Sequence, residues 1–500
     1  MTEFDVIVIG AGPVGENVAD YAHQGGLSVA VVESELVGGE CSYWACIPSK
    51  ALLRPVHAVA AAARVDGARQ AVTGPPDAAA ALARRDSFVS DYDDAGQVSW
   101  LEGAGLTLVR GHAQLAGERR VLVTTSSGGG SGVDPDAGGR PGDGYSARTV
   151  ELTARHAVVV CTGSAASLPP IDGLATARPW TSREVTGMKR VPRRLAVIGG
   201  GVVACEMATA AAGLGADQVT MLVRGDKLLE RLEPFAGEAV LDALRERGVD
   251  VRLGSSATRV VRAPGDSDDD PAPVTLELDD GSTLQADEVL VAAGRRPRTD
   301  DLGVDSVGLQ PGRPLATEAG GAVRGVAGGW LFAAGDVTGE VLLTHQGKYQ
   351  ARLLGDRLAA QARGEQPDLS RWGRHLPTAD DAAVPQVIFT DPEVAFVGLT
   401  EQQAAERGLR TRMVSYPLGH VAGAALQADG YAGRAALLVD TDRNVPVGVT
   451  FVGQDVAELL HAATIAVVGE VPIDRLWHAV PAFPTMSEVW LRLLEEYRKP

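Results

Sequence analysis

Two strand, glycine turn and helix units, at residues 4–23 and 194–212, and a closing stretch of short strands from residue 384 predict the fold. It is α/β, with two Rossmann-like dinucleotide-binding domains and a C-terminal α+β domain. A third observation places chemistry beside the first unit. Residues 38–50 read GGECSYWACIPSK, with Cys41 and Cys46 five positions apart.

In the first unit, FDVIVIGAGPVG runs from a β-branched strand into Gly10, Gly12 and Gly15, and helical composition follows over residues 16–23. The first two glycines permit a tight turn and close approach of the backbone to a pyrophosphate, the third lets helix and strand pack, and the helix N-terminus faces the anion. A second strand over residues 27–32 leads to Glu33, 18 positions past Gly15, placed to accept adenosine ribose hydroxyls. A bare glycine-rich turn would not need that strand, helix and terminal acid together.

The cysteine pair reads as a redox-active disulfide. A regular helix rises about 1.5 Å per residue, so an i,i+5 pair would lie roughly 7.5 Å apart along the axis, beyond the ~7 Å Cα limit for a bridge. A disulfide therefore requires a locally broken helix. A thiolate near a helix N-terminus is stabilised by unpaired N–H groups. The alternative is two reduced, buried cysteines packing as small apolar residues.

The second unit, RLAVIGGGVVACE at residues 194–206, repeats the pattern with Gly199, Gly201 and the small Ala204. Its partner strand, residues 218–223, ends at Val223, where a ribose-binding acid would stand, and Arg224, Lys227 and Arg231 follow. With no carboxylate to repel it, a 2′-phosphate is acceptable and Arg224 can pair with it, favouring NADP, with NAD as the alternative. The competing reading is an exposed charge run.

Five hundred residues exceed one hydrophobic core. A net charge of −18 excludes a general affinity for nucleic acid or an anionic membrane. The first strand begins at Phe4, leaving no room for a leader, and no apolar run reaches spanning length, so a cytoplasmic protein is expected. Four cysteines make no structural disulfide framework. Residues 126–146 and 263–273 read as polar insertions between strands at 120–125 and 149–152 and at a hairpin tip. Residues 56–71 and 77–88 read as helices after the cysteines, and 457–468 and 486–497 as C-terminal helices.

The motifs GAGPVG, CSYWACIPSK, VVVCTGS (158–164), GGGVVACE, AAGRRP (292–297), LFAAGDV (331–337), PQVIFTDPEVAFVGLT (385–400) and PAFPTMSE (481–488) span nearly the whole chain. In this order they resemble the pyridine nucleotide-disulfide oxidoreductases, the flavoprotein family of dihydrolipoamide dehydrogenase, glutathione reductase and mercuric reductase. The resemblance implies an FAD domain over residues 1–176 resuming at 294–365, an NAD(P) domain at 177–293, and a dimerisation domain at 384–500. A homodimer with a shared active site follows. FAD would be held by Glu33, Gly163, Gly294, Gly335, Asp336 and His345. Cys41 would be the interchange thiol and Cys46 the flavin-side thiol, with Lys50 near the flavin and Glu206 as its partner, since a buried lysine is tolerable only with a carboxylate.

One departure bears on activity. The family motif His-x-His-Pro-Thr-x-Ser-Glu places a histidine, held by the glutamate, as acid-base for the other subunit's thiol; here Phe483 occupies that position and Glu488 the glutamate's. Histidine acid-base catalysis is typically worth roughly 10² to 10⁴ in rate. His478 and His345 are the neighbouring candidates for a replacement. Paired C-terminal cysteines of mercuric reductase are absent, which disfavours mercury reduction. The expected function is electron transfer from NAD(P)H through FAD and Cys41/Cys46 to a small disulfide-type acceptor. Quinone reduction at the flavin, and a non-catalytic redox sensor or assembly subunit, are the alternatives.

Overall fold

The computed structural model describes residues 2–125, 148–263 and 272–500. The insertion at 126–146, and all but the ends of that at 263–273, lie outside the described residues. Five helices frame the chemistry: α1 (Pro13–Gln24), α2 (Gly39–Tyr43), α3 (Cys46–Ala63), α4 (Val202–Gly213) and α5 (Thr344–Ala362). The chain divides into two compact units.

The first unit comprises residues 1–48, 86–167 and 294–380. Its main sheet runs in the order Thr107–Arg110, Val29–Glu33, Thr2–Ile9, Arg148–Val160, Arg120–Thr125, His112–Leu115, and Leu331–Ala333 also pairs with Arg148–Val160. The three neighbouring pairs from Thr107–Arg110 to Arg148–Val160 are parallel. Strand side chains alternate with a period of two. Val6, Val8, Val29, Val31, Ala157 and Val159 therefore share one core with Val18 of α1 and Leu354 of α5. Ile7, Ile9, Ala30, Val32, Val158 and Val160 form the other. Burial on both faces explains why these strands read as unbroken apolar runs.

The second unit comprises residues 49–85, 168–293 and 381–500. A parallel sheet orders Asp250–Leu253, Gln218–Val223, Arg194–Ile198 and Glu288–Val291. An antiparallel three-stranded sheet (Ala257–Arg262, Val274–Leu278, Thr283–Ala286) and a five-stranded one (Pro385–Ile388, Glu393–Gly398, Val445–Gly453, Arg434–Asp440, Thr411–Pro417) accompany it. α4 packs closely on α3, for a Cβ at Gly213 would fall 2.3 Å from Val56 Cγ1.

Several boundaries differ from expectation. The helix expected at 56–71 begins at Cys46 and ends at Ala63. Pro48 stands in its first turn, where a missing N–H costs nothing, and the buried stripe Ala51, Leu52, Val56 starts there. Turn bonds from Arg64 and Val65 N–H and a left-handed Gly67 (φ 92°) end it. The strand expected at 149–152 extends over Arg148–Val160. The helices expected at 457–468 and 486–497 each open with a 3₁₀ turn, before Leu460–Val468 and Val489–Arg498. Among the described residues no helix is long and apolar enough to cross a membrane, and no group of three or more His, Cys, Asp or Glu could hold a metal.

Candidate active site

The first glycine turn is built as a cradle. Gly10 sits at φ 99° with its Cβ position 2.5 Å from Cys161 O, and a Cβ at Gly15 would meet Gly10 O at 1.8 Å, so neither tolerates a side chain. Gly12 faces open space. No side chain caps α1, which leaves N–H groups of its first turn free for an anion. Glu33 accepts the N–H groups of Ala11 and Glu35, both at 2.7 Å. Burial lifts its carboxyl above the usual range, and those backbone donors oppose the rise. Gly163 (φ 70°) and Gly294 (φ 132°) also face open space. Gly335, against Val14, donates its N–H to Gln350 at 2.8 Å. Asp336 accepts the Ser164 hydroxyl at 2.6 Å and lies 3.8 Å from Arg295. An open turn, an uncapped helix and partly buried acid acceptors fit a dinucleotide such as FAD.

The cysteines lie across a break, as the spacing argument requires. α2 ends at Tyr43, Trp44 leaves helical geometry (φ −134°, ψ 4°), and α3 starts at Cys46. Both are free thiols, partly buried. A hydrogen bond with Cys46, then burial, then the charge of Cys46 push the Cys41 thiol far above its ordinary range, opposed by Thr344 and Lys348. Cys46 stands at the first position of α3, and its Sγ lies 3.3 Å from Thr344 Oγ1. The helix-terminal sulfur is thus Cys46. Cys161 and Cys205 are fully buried, with burial pushing each thiol up to about 12.

Lys50 Nζ pairs with Glu206 Oε2 at 2.8 Å. Glu206 is almost wholly buried, while Lys50 is about one-third exposed (36%), less buried than expected. The other carboxylate oxygen accepts Phe389 N–H at 2.9 Å, and Lys50 lies 4.9 Å from the Phe389 ring centroid.

The second glycine turn repeats the first. A Cβ at Gly199 (φ 136°) would fall 2.4 Å from Ala292 O, while Gly201 faces open space and caps α4 without a side-chain bond. Arg224, Lys227 and Arg231 are exposed. His345 and His478 are also exposed. Phe483 is 75% exposed. Glu488 is taken by Arg492 at 2.6 Å within its own helical segment, and its second oxygen is buried with no hydrogen-bond partner. Thr344, Phe389, Ser164 and Arg295 escaped the sequence reading. Ser164, Arg295 and Phe389 fall inside the motifs named above, but a hydrogen bond or a ring contact leaves no mark in residue pattern.

A chain with two dinucleotide cradles and a dithiol beside the first is built as an electron-transferring flavoprotein. Residues 4–351 match the family of pyridine nucleotide-disulphide oxidoreductases and residues 384–493 its dimerisation domain. Dihydrolipoyl dehydrogenase 3 of Pseudomonas aeruginosa is 32% identical over 500 residues, covering 98% of this chain and 96% of that protein. A mercuric reductase of Shigella flexneri is 31% identical, covering 97% and 79%. Among solved structures, the HOCl-induced flavoprotein disulfide reductase RclA of Escherichia coli superposes with a TM-score of 0.80 at 22% identity over 100% of both chains. LpdA of Mycobacterium tuberculosis gives 0.78 at 22% identity, again over 100% of both. The chain belongs to the pyridine nucleotide-disulphide oxidoreductase family. It is an FAD-dependent oxidoreductase that uses a nicotinamide nucleotide and carries the family's dimerisation domain.

Proposed function

We propose that this enzyme takes reducing equivalents from NADPH and passes them, through FAD and the Cys41/Cys46 pair, to a small disulfide-type acceptor. One observation carries the reading: two free, partly buried thiols on either side of a broken helix, one of them at a helix N-terminus. FAD, when bound, supplies a two-electron relay between a nicotinamide and a dithiol. Cys46, with the N-terminus of α3 and the Thr344 hydroxyl beside it, is the sulfur best able to hold negative charge. Cys41, protonated, is the thiol that attacks the acceptor once its proton is removed. Glu206 holds Lys50 in place, keeping an ammonium on α3 four residues past Cys46. Arg224 and Lys227, with no acid at Val223, support NADPH. Mercuric ion is not the proposed acceptor, because the remaining cysteines are buried.

Phe483 favours a second reading, quinone reduction at the flavin, since a phenyl ring moves no proton. Cys41→Ser separates the two. Loss of NADPH-dependent disulfide reduction by more than about 100-fold with quinone turnover retained supports the disulfide route. A wild-type enzyme that turns over quinones and no disulfide overturns it.

A further inference from the structure

The cysteines differ in how they are held. Cys46 belongs to an 18-residue helix, whereas Cys41 sits on α2, a single turn of five residues. Left-handed Gly38 (φ 109°) precedes that turn, left-handed Gly39 (φ 58°) opens it, and the Trp44 break follows it. A one-turn element between two joints has little helical stability of its own. Two side chains tether it: Tyr43 at its end, buried and donating its hydroxyl to Val37 O at 3.1 Å, and Glu40, the residue before Cys41. Glu40 Oε1 accepts Arg298 Nη2 at 2.7 Å, and Arg298 Nη1 lies 3.8 Å from Glu35 Oε2. Arg298 is itself anchored by its backbone: its N–H donates to Gly163 O at 3.1 Å and its carbonyl accepts the Thr162 hydroxyl at 2.8 Å. The guanidinium thus ties the cysteine-bearing turn to the end of the central strand. A Cβ at Gly39 would lie 2.9 Å from Gly12 Cα, so this turn also rests on the first nucleotide loop, where Arg298 balances the Glu40 charge.

We propose that Arg298 and Glu40 are positioning residues for Cys41: their ion pair holds the short turn so that the Cys41 sulfur stays within bonding distance of Cys46. The proposal rests on the reading of the two cysteines as a redox pair. It concerns the exchange Cys41–SH + Cys46–SH + oxidised dithiothreitol ⇌ Cys41–S–S–Cys46 + reduced dithiothreitol, in which two electrons and two protons pass to the reagent. Releasing the turn lowers the effective concentration of one thiol for the other and makes the disulfide easier to reduce.

The experiment titrates FAD-loaded enzyme at pH 7 with dithiothreitol buffers, traps thiols by alkylation and reads the disulfide fraction by mass. Glu40→Ala and Arg298→Met are expected to lower the midpoint ratio of reduced to oxidised reagent about fivefold, the size of a partly exposed charge-assisted pair. The swapped double variant Glu40→Arg/Arg298→Glu is expected to return within about twofold of wild type. A role confined to folding or FAD retention moves melting temperature or flavin content and leaves the midpoint alone. Glu40→Ala with a wild-type midpoint overturns the proposal, also where Arg298→Met fails to fold. A wild-type enzyme with no reversible two-thiol transition overturns the redox-pair reading and the proposal with it.

Discussion

At the residue scale, the proposed disulfide route makes the proton on Cys41 set the pace of thiol exchange. Its thiol lies above the ordinary range because it bonds to Cys46, is buried and faces Cys46's charge. Only the thiolate attacks a disulfide, and below its pKa the thiolate fraction rises tenfold per pH unit. On the proposed reading that Phe483 occupies the base position, log kcat/KM for a neutral disulfide should therefore climb with a slope near one between about pH 7 and 9. Phe483→His should raise the rate at pH 7 by at least about tenfold and flatten the profile above the imidazole's own titration near 6.5. An unchanged profile would sink this reading of the motif. GGECSYWACIPSK disclosed the pair and the need for a break, since that follows from helix rise alone. Which sulfur stands at a helix terminus was not legible, because it depends on where α3 begins.

At the element scale, α1 and α5 cross at backbone distance. A Cβ at Gly355 would meet Tyr21 Cβ at 2.6 Å and the backbone of Val18 and Ala22 at 3.0 Å; Gly347 faces Val14 at 2.6 Å and Gly25 faces Ala359 at 2.2 Å. Backbone cannot yield as a flexible side chain can, so Gly355→Ala should push the helices apart and cost about 1–3 kcal/mol in denaturant unfolding, despite alanine's better helix propensity. A stabilised variant would show that the crossing has slack. Because α1 begins at the first glycine turn, the same variant should release FAD more readily than wild type. The strand, turn and helix of both nucleotide units were legible because apolar runs and glycines mark them. The residue 344–362 helix was not, because its first half buries Gln346, Gly347 and Gln350, and the apolar stripe of Ala351, Leu354, Leu358 and Ala359 begins only in its second half. The start of α3 was missed for a related reason, since Pro48 reads as a breaker until it is seen in a first turn.

At the scale of the whole molecule, residues 384–493 belong to the family's dimerisation domain, and its exposed apolar side chains are the candidates for a contact surface. Leu426, Ile465, Val480 and Phe483 are 71%, 58%, 88% and 75% exposed in the single chain. Four large apolar groups left in water within one domain mark an association surface more than a random surface would. Ile465 is the best probe: it lies on Leu460–Val468, whose other face, Leu460, Ala463 and Val467, packs into the domain core, so its replacement disturbs little inside the chain. Ile465→Glu places a charge where a partner should bury it, which costs roughly 2–3 kcal/mol, or about 30- to 100-fold in dimer dissociation constant. Sedimentation equilibrium of the FAD-loaded enzyme across a concentration series measures that shift directly. Melting temperature of the dissociated species distinguishes a lost interface from an unfolded domain. If activity falls in step with dissociation, the site needs both chains, as the position of Phe483 in the family motif implies; a variant that dissociates yet keeps full turnover would confine the chemistry to one chain.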